Sequence, residues 1–219
     1  PAAVLFDLGV GDFRIRPDAE MGYQACLNSS AEESRQGNIG AGTGATVGKV
    51  RGDKFAMKGG LGTASLSCGK LIIGAIVAVN CFGDIVNPNN SKIIAGALTD
   101  DKKQFVDTIS YLKGNPLSGN NKGHFPTNTT IGVIATNALL TKAEATKVAM
   151  MAHNGFARTI VPVHTMFDGD TIFCSGTGEI EADVNIVGIL AAELMAAAIL
   201  KAIKNAESMF GFPCYRDLL

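Results

Sequence analysis

The tetrad Asn128-Thr129-Thr130-Ile131 places a threonine hydroxyl directly after an asparagine, between a polar stretch and an apolar β-branched run. Such a hydroxyl can attack the carbonyl carbon of the preceding residue, cut the chain and release its own amine, which then acts as the base for the same hydroxyl. An α-amino group titrates at about 7.7–8.0, close to where a general base works best. The tetrad therefore predicts a self-activating hydrolase with Thr129 as its nucleophile.

Two plainer interpretations of the tetrad stay open. It also fits a polar turn that enters a strand, and Asn128-Thr129-Thr130 matches an N-glycosylation sequon. The odd cysteine count argues against a secreted protein and hence against the sequon. Position favours the chemical interpretation, because a buried strand would hold the new terminus while the flexible stretch before it moves away.

The segment from His164 to Asp170 is a second candidate. Asp168 and Asp170 flank Gly169, and both carboxylates can point from a turn into one site. They could hold the Thr129 ammonium and hydroxyl, or share a proton and bind a substrate amine. A simple Asp-Gly turn between strands is the alternative. A metal site formed by His164 and both aspartates is a further alternative, although no second histidine lies at ligand spacing.

The glycine-rich run 40–49 ends in Lys49. It resembles a dinucleotide loop only superficially, because a polar loop and not a strand precedes it, and it lacks the pattern of a phosphate loop. We expect it to form a wall that delivers Lys49 to a buried site, where the charge would keep the Thr129 amine neutral or stabilise an oxyanion. A solvated surface lysine is the alternative.

Asn80 directly follows the very apolar run 71–79. A buried amide must find hydrogen-bond partners, and an oxyanion-hole donor is one role that supplies them. The alternative role for this amide is to cap the end of the strand. No role is predicted for His124 or His153.

Composition indicates one globular domain over residues 1–219, since 47% of the residues are apolar and 18% are charged. A net charge of −1 argues against nucleic acid or an anionic membrane as main partner. The five scattered cysteines lack metal-site spacing, which favours reduced thiols in a cytoplasmic protein. The chain begins with Pro1 and not with Met, so we expect a fragment or a processed product. The apolar run 186–200 predicts a core or oligomer-facing helix, because Glu193 interrupts it and it is shorter than a bilayer span.

Hydrophobic periodicity and turn residues predict helices and strands in groups. The predicted helices are 18–28, 101–112, 141–157, which opens with a capping box, and 184–206. The predicted strands are 2–8, 60–68, 71–81, 91–97, 129–136, 160–163 and 171–174. The segments 37–48 and 113–127 are predicted to be loop and linker. This grouping favours mixed sheets covered by helices over a parallel doubly wound fold.

Taken together, these segments resemble the L-aminopeptidase/D-esterase family, also called the DmpA family, which includes the nylon-oligomer hydrolases. The matching stretches follow the family's order along nearly the whole chain: 1–8, 40–49, 59–65, 128–137 and 164–173. The resemblance implies an α+β fold, a four-layer αββα sandwich like that of N-terminal-nucleophile hydrolases but with different connectivity. It also implies self-cleavage into units 1–128 and 129–219, assembly into oligomers such as tetramers of the cleaved pair, and no metal or organic cofactor.

The resemblance assigns roles to residues that match the family's motifs. Thr129 matches the nucleophile and Asn128 the residue that is cut away, while Asn80 matches the oxyanion-hole asparagine. Lys49 matches the lysine that nylon hydrolases place beside the nucleophile, and Asp168 with Asp170 matches their acidic pair. The aminopeptidase branch has a serine nucleophile with a serine and a glutamate in the pair. The threonine and two aspartates therefore place this chain nearer the nylon-hydrolase branch.

Phe6, Gly42 and Thr43 are the residues we expect to contact the substrate. Phe6 stands where family members commonly carry a tyrosine, so a hydroxyl is lost there, and an N-terminal segment of the family has no counterpart in the sequence. The leading hypothesis is an amide hydrolase that acts on small peptides or nylon-oligomer amides. The rivals are an aminopeptidase or esterase for small or β-amino residues, a catalytically silent homologue, and a metal-dependent hydrolase at His164, Asp168 and Asp170.

Overall fold

The structure is a computed structural model that describes residues 2–30, 35–116 and 128–219. Its helices are α1 (Ala19–Leu27), α2 (Thr108–Gly114), α3 (Lys142–Thr159) and α4 (Val184–Lys204), with 3-10 turns at Gly40–Gly42, Asp53–Phe55 and Tyr215–Leu218. Its strands are β1 (Thr46–Val47), β2 (Met57–Lys58), β3 (Gly60–Cys68), β4 (Leu71–Val79), β5 (Asp84–Val86), β6 (Ile93–Ala95), β7 (Ile131–Ala138), β8 (Ile160–Val161) and β9 (Thr171–Ile180).

The main sheet has the strand order β3-β4-β7-β9. Its neighbours pair antiparallel except β7 and β9, which are parallel and are joined through α3. A smaller antiparallel sheet has the order β6-β5-β8, and β1 pairs with β2. The mixed sheets predicted from the grouping of elements are therefore present.

Helices α3 and α4 pack against each other and against one face of the main sheet. Strand β4 alternates accordingly: Ile73, Ala75 and Val77 are buried, whereas Ile72 and Ile76 are exposed. Glycine permits the close approach of α4, because a Cβ on Gly62 would overlap the carbonyl oxygen of Ala198. Helix and sheet thus meet backbone to backbone, and the core forms between them.

Capping residues fix where the long helices begin. Thr141 and Glu144 form the predicted capping box at α3, with the Thr141 hydroxyl accepting the Glu144 N–H and the Glu144 carboxylate accepting the Thr141 N–H. Asp183 caps α4 in the same way through the Asn185 N–H. By length and composition α4 could cross a membrane, but 61% of its most apolar window is buried. It is packed as a core helix here.

Two predicted elements are wrong. Residues 2–8 form no strand; they lie outside any sheet, with a turn beginning at Leu8, and Val4 is 78% exposed. The predicted helix 101–112 begins only at Thr108, because Asp107 adopts φ +60° as the N-cap and residue 98 instead bridges residue 105. Most of the predicted linker 113–127, including His124, lies outside the described residues. The strands β1, β2 and β5 were not predicted.

Candidate active site

Thr129 lies just before β7 and is 5% exposed. Its N–H donates to the main-chain oxygen of Asn80 at 2.7 Å, and its Oγ1 donates to the carbonyl oxygen of Asn128 at 2.7 Å. The hydroxyl is therefore beside the carbonyl group that self-cleavage would attack. The nitrogen that would become the free amine is held at the end of β4.

The Asn128 carbonyl oxygen accepts a second hydrogen bond, from the Gly169 N–H at 2.8 Å. This contact follows from a parallel bridge between Asn128 and Asp168, which aligns the two segments. A main-chain donor on this oxygen polarises the carbonyl group and would stabilise negative charge that develops on it. A Cβ at Gly169 would lie 2.9 Å from Thr129 Oγ1, so only glycine leaves the hydroxyl its space.

Asn80 is buried and links Lys49 to Thr129. Its Oδ1 accepts hydrogen bonds from Lys49 Nζ at 2.8 Å and from the Thr46 N–H at 3.0 Å. Because both partners are donors, they fix which end of the amide is the oxygen. Nδ2 is thereby turned toward the carbonyl oxygen of Phe6, at 3.2 Å.

Burial lowers the pKa of Lys49 from 10.5 to about 8, although the nearby Cys81, Asp53, Asp168 and Asp7 oppose that shift. The ammonium form still predominates at neutral pH. Lys49 and the Thr129 nitrogen thus bind the same residue, Asn80, one at its side-chain oxygen and the other at its main-chain oxygen. A positive charge there favours the neutral form of a neighbouring amine.

The two carboxylates bind the backbone next to Thr129 and the Asp168 loop itself. Asp170 Oδ1 accepts the Thr130 N–H at 2.9 Å, and Asp170 Oδ2 lies 2.9 Å from His164 Nδ1. Asp168 Oδ2 accepts the Thr165 hydroxyl at 2.6 Å, and its Oδ1 accepts a main-chain N–H at 3.2 Å. Within the described chain, neither carboxylate is hydrogen-bonded to Thr129 Oγ1. Burial is the main reason why the pKa of Asp170 is raised.

Lys58 is a fully buried lysine that the sequence did not single out. Its Nζ donates to the carbonyl oxygens of Ala45 at 2.7 Å, Thr43 at 2.9 Å and Gly42 at 3.3 Å. Burial lowers its pKa from 10.5 to about 8. The carbonyl groups of the glycine-rich run thus surround the Lys58 ammonium group. The same run continues to Thr46 and Lys49 at the site.

A cavity of about 540 Å³ borders the site. Lys49 and Asn128 form part of its wall, and the rings of Phe6, Phe82 and Phe167 supply apolar surface. Gly42 and Thr43, which we expected at the substrate, do not line this cavity, because their carbonyl groups face Lys58. Its size and mixed lining suit a small amide substrate.

One hydrogen-bonded network contains five of the residues predicted from the sequence: Thr129, Asn128, Asn80, Lys49 and Asp170. Asp168 joins it through the backbone bridge to Asn128. No sequence pattern could single out the Gly169 N–H, since every residue but proline carries that group. In the described part of the chain, no group of three or more His, Cys, Asp or Glu residues could hold a metal ion.

Known proteins that are similar in sequence show the family of this chain. The sequence model of peptidase family S58 matches residues 2–214. The chain belongs to peptidase family S58. An uncharacterized aminopeptidase of Mycobacterium leprae is 39% identical over 98% of this chain and 63% of its own length. A 6-aminohexanoate-oligomer endohydrolase of Kocuria sp. is 30% identical over 93% of this chain and 60% of its own length.

Solved structures of two aminopeptidases share the fold. The L-aminopeptidase D-Ala-esterase/amidase of Ochrobactrum anthropi, described as a variant of the Ntn hydrolase fold, gives a TM-score of 0.59 at 21% identity, covering 87% of this chain and 50% of that one. A Burkholderia sp. β-aminopeptidase gives a TM-score of 0.57 at 22% identity, covering 89% of this chain and 54% of that one. These matches confirm the predicted αββα class, and the match to the family model confirms the family resemblance. The chain spans less than two thirds of the length of the Mycobacterium leprae and Kocuria relatives named above.

Proposed function

We propose that the protein is a self-cleaving amide hydrolase whose nucleophile is Thr129. The observation that carries this proposal is the environment of the Asn128 carbonyl group. Its oxygen lies 2.7 Å from Thr129 Oγ1 and also accepts the Gly169 N–H. The attacking hydroxyl and an oxyanion donor therefore meet at one buried peptide bond, and membership of a peptidase family agrees with hydrolytic chemistry.

Self-cleavage would proceed by transfer of the Asn128 acyl group from nitrogen to oxygen. Thr129 Oγ1 bonds to the Asn128 carbonyl carbon, the carbon–nitrogen bond breaks, and the hydroxyl proton ends on the leaving nitrogen. Water then hydrolyses the ester, which gives the Asn128 carboxylate and restores the Thr129 hydroxyl. During attack the negative charge would lie on the oxygen that faces the Gly169 N–H.

Turnover would use the amine released in the first stage. That amine lies at the Asn80 carbonyl oxygen and would take the proton of its own hydroxyl, while the nearby Lys49 ammonium keeps it neutral. The oxygen then attacks a substrate amide or ester, the amine passes the proton to the leaving group, and water hydrolyses the acyl-enzyme. Asn80 Nδ2 is the proposed donor to the substrate oxyanion, and the Asp168/Asp170 pair would keep the nucleophile's backbone in place.

Peptide-like or nylon-oligomer amides are the proposed substrates, by analogy with the endohydrolase relatives. A second candidate, an aminopeptidase or esterase, is favoured by two of the carboxylates that line the cavity beside Lys49 and Arg51. Asp7 and Asp53 both line it, and no hydrogen bond or ion pair joins either carboxylate to another described residue. A carboxylate in that state suits the free amino group of a small substrate. A homo-oligomer of cleaved pairs and a cytoplasmic location remain predictions.

Intact-mass measurement tests the first stage on the protein expressed from its complete reading frame. We expect two fragments that meet between Asn128 and Thr129, with threonine as the new N-terminus. Thr129→Ala should stay intact, whereas Thr129→Ser keeps a hydroxyl and should still be cut. A Thr129→Ala protein that is cleaved at this bond would sink the proposal.

Substrate assays then separate the candidates. Release of amino acids from amino-acid p-nitroanilides without attack on 6-aminohexanoate oligomers would select the aminopeptidase, and the reverse result the endo-acting amidase. Acylation of Thr129 by an ester probe is expected in both cases. An intact chain that no ester probe acylates would instead identify a catalytically silent homologue.

A further inference from the structure

Asp170 is a buried carboxylate whose two oxygens have different partners. Its side chain is 2% exposed. Oδ1 accepts the N–H of Thr130, the peptide group that follows the nucleophile, and Oδ2 lies 2.9 Å from His164 Nδ1. When the carboxylate is ionised it can only accept, so Nδ1 must carry the proton. Asp170 therefore bridges a histidine ring and the backbone beside Thr129.

The His164 ring is fixed by helix α3. The ring of His153 lies 4.8 Å from it at 65°, and that of Phe156 lies 6.0 Å away. The backbone of His164 has φ +56°, a conformation that costs free energy in a non-glycine residue. The fold thus holds this ring in a strained loop, with Nδ1 directed at Asp170 and the side chain still 39% exposed.

We propose that His164 is a positioning residue that orients the Asp170 carboxylate, and through it the Thr129–Thr130 peptide, so that Thr129 Oγ1 faces the Asn128 carbonyl group. This inference rests on the proposed self-cleavage. Thr129 is held from both sides: its own N–H binds Asn80, and the next N–H binds Asp170. Releasing the second contact frees the backbone rotation that aims the hydroxyl, and small misplacements of a reacting group cost large factors in rate.

The surrounding charges make the contact sensitive to pH. Burial and the neighbouring Asp168 raise the pKa of Asp170, while His164 and the N–H donors lower it. The Cys81 thiol, which also faces Asp170, has its pKa raised by burial, and that of His153 is lowered by burial and by His164. Without the His164 donor, Asp170 should take up a proton at higher pH. Protonation weakens the acceptor that holds the Thr130 N–H.

Self-cleavage rates measured from pH 5 to pH 9 in newly made full-length protein test this role. His164→Phe keeps a ring against α3 but removes the donor, so cleavage should slow roughly tenfold or more and its acid midpoint should move to higher pH. His164→Asn places an amide donor near the position of Nδ1 and should restore most of the rate at neutral pH. His153→Phe changes the stacked neighbour without touching Asp170 and should cleave within about twofold of the unmodified protein.

The possible results are distinct. A His164→Phe protein with the unmodified rate and pH midpoint would overturn the positioning role, and so would equal losses in both His164 variants with no change of midpoint, which indicate packing alone. If His164→Phe does not fold by circular dichroism, the pH profile of His164→Asn decides. Failure of the unmodified protein to cleave at Asn128–Thr129 would refute the proposed function itself, and this inference with it.

Discussion

Replacing Lys58 with methionine should change how stability depends on pH. Lys58 is fully buried among three carbonyl oxygens, and no carboxylate in the described chain forms an ion pair with it. Burying an ammonium group costs free energy, and this cost lowers the pKa of Lys58 from 10.5 to about 8. Methionine has a similar length and no charge, so Lys58→Met removes both the cost and its pH dependence.

The size and sign of the effect follow from proton linkage. Below pH 8 both the folded and the unfolded chain carry the Lys58 proton, so the buried charge exerts its full destabilising effect. Between pH 8 and 10.5 the unfolded chain holds this proton while the folded chain releases it, and stability therefore rises with pH. A difference of about 2.5 pKa units corresponds to about 3 kcal/mol in the free energy of unfolding.

Urea denaturation followed by circular dichroism between pH 7 and pH 11 measures this effect. Both proteins carry Thr129→Ala, which is expected to keep the chain intact, and Lys49, whose pKa is also lowered, contributes alike to both. Relative to Lys58→Met, the protein with Lys58 should gain about 3 kcal/mol over this range. Lys54→Met, which removes an exposed positive charge nearby, is the control. If the difference in the free energy of unfolding between the two proteins stays constant or falls as the pH rises, the reasoning that Lys58 is buried as a destabilising ammonium group is refuted.

Three further changes test packing and the site. Gly62→Ala should destabilise the fold by about 3 kcal/mol in urea titrations because its Cβ would overlap the α4 backbone, whereas Gly74→Ala, with no atom closer than 4.0 Å, should stay nearly neutral. Gly169→Ala should slow self-cleavage roughly 10- to 100-fold, measured by mass spectrometry, because its Cβ would lie 2.9 Å from the Thr129 hydroxyl. Asp84→Asn should lower the free energy of unfolding by about 1–3 kcal/mol, since both carboxylate oxygens accept buried N–H groups and an amide nitrogen cannot.

Elements with strong local signals were predictable from the sequence. The capping box at Thr141 places the start of α3 correctly because both of its hydrogen bonds are local. Strand β3 occupies the predicted residues 60–68 because turn glycines and the apolar pattern agree. Such elements depend on neighbours within a few positions, which a single sequence contains.

Elements that depend on distant partners were not predictable. The apolar run 2–8 suggests a buried strand, but an apolar pattern states only a preference for burial and does not provide a neighbouring strand. Within 101–112, the spacing of the apolar residues suits a helix, yet Asp107 in a left-handed conformation delays its start. The sequence also identified chemically reactive side chains but missed the Gly169 N–H and Lys58. Both groups matter because of distant segments that contact them: the Gly169 N–H binds the Asn128 carbonyl oxygen, and Lys58 binds carbonyl oxygens of the glycine-rich run.

The topology of the main sheet explains why the site residues meet. Ala78 of β4, Ile131 of β7 and Thr171 of β9 form one row across the sheet. Because β4 runs antiparallel to β7, the end of β4 lies beside the start of β7, and the parallel β9 starts at the same edge. Asn80 follows this row by two residues, Thr129 precedes it by two and Asp170 by one. A shift of one residue in the β4–β7 pairing would turn Asn80 and Thr129 to opposite faces of the sheet. The register that packs the core against α4 is therefore the same register that brings Asn80 and Thr129 together, and neither can change without the other.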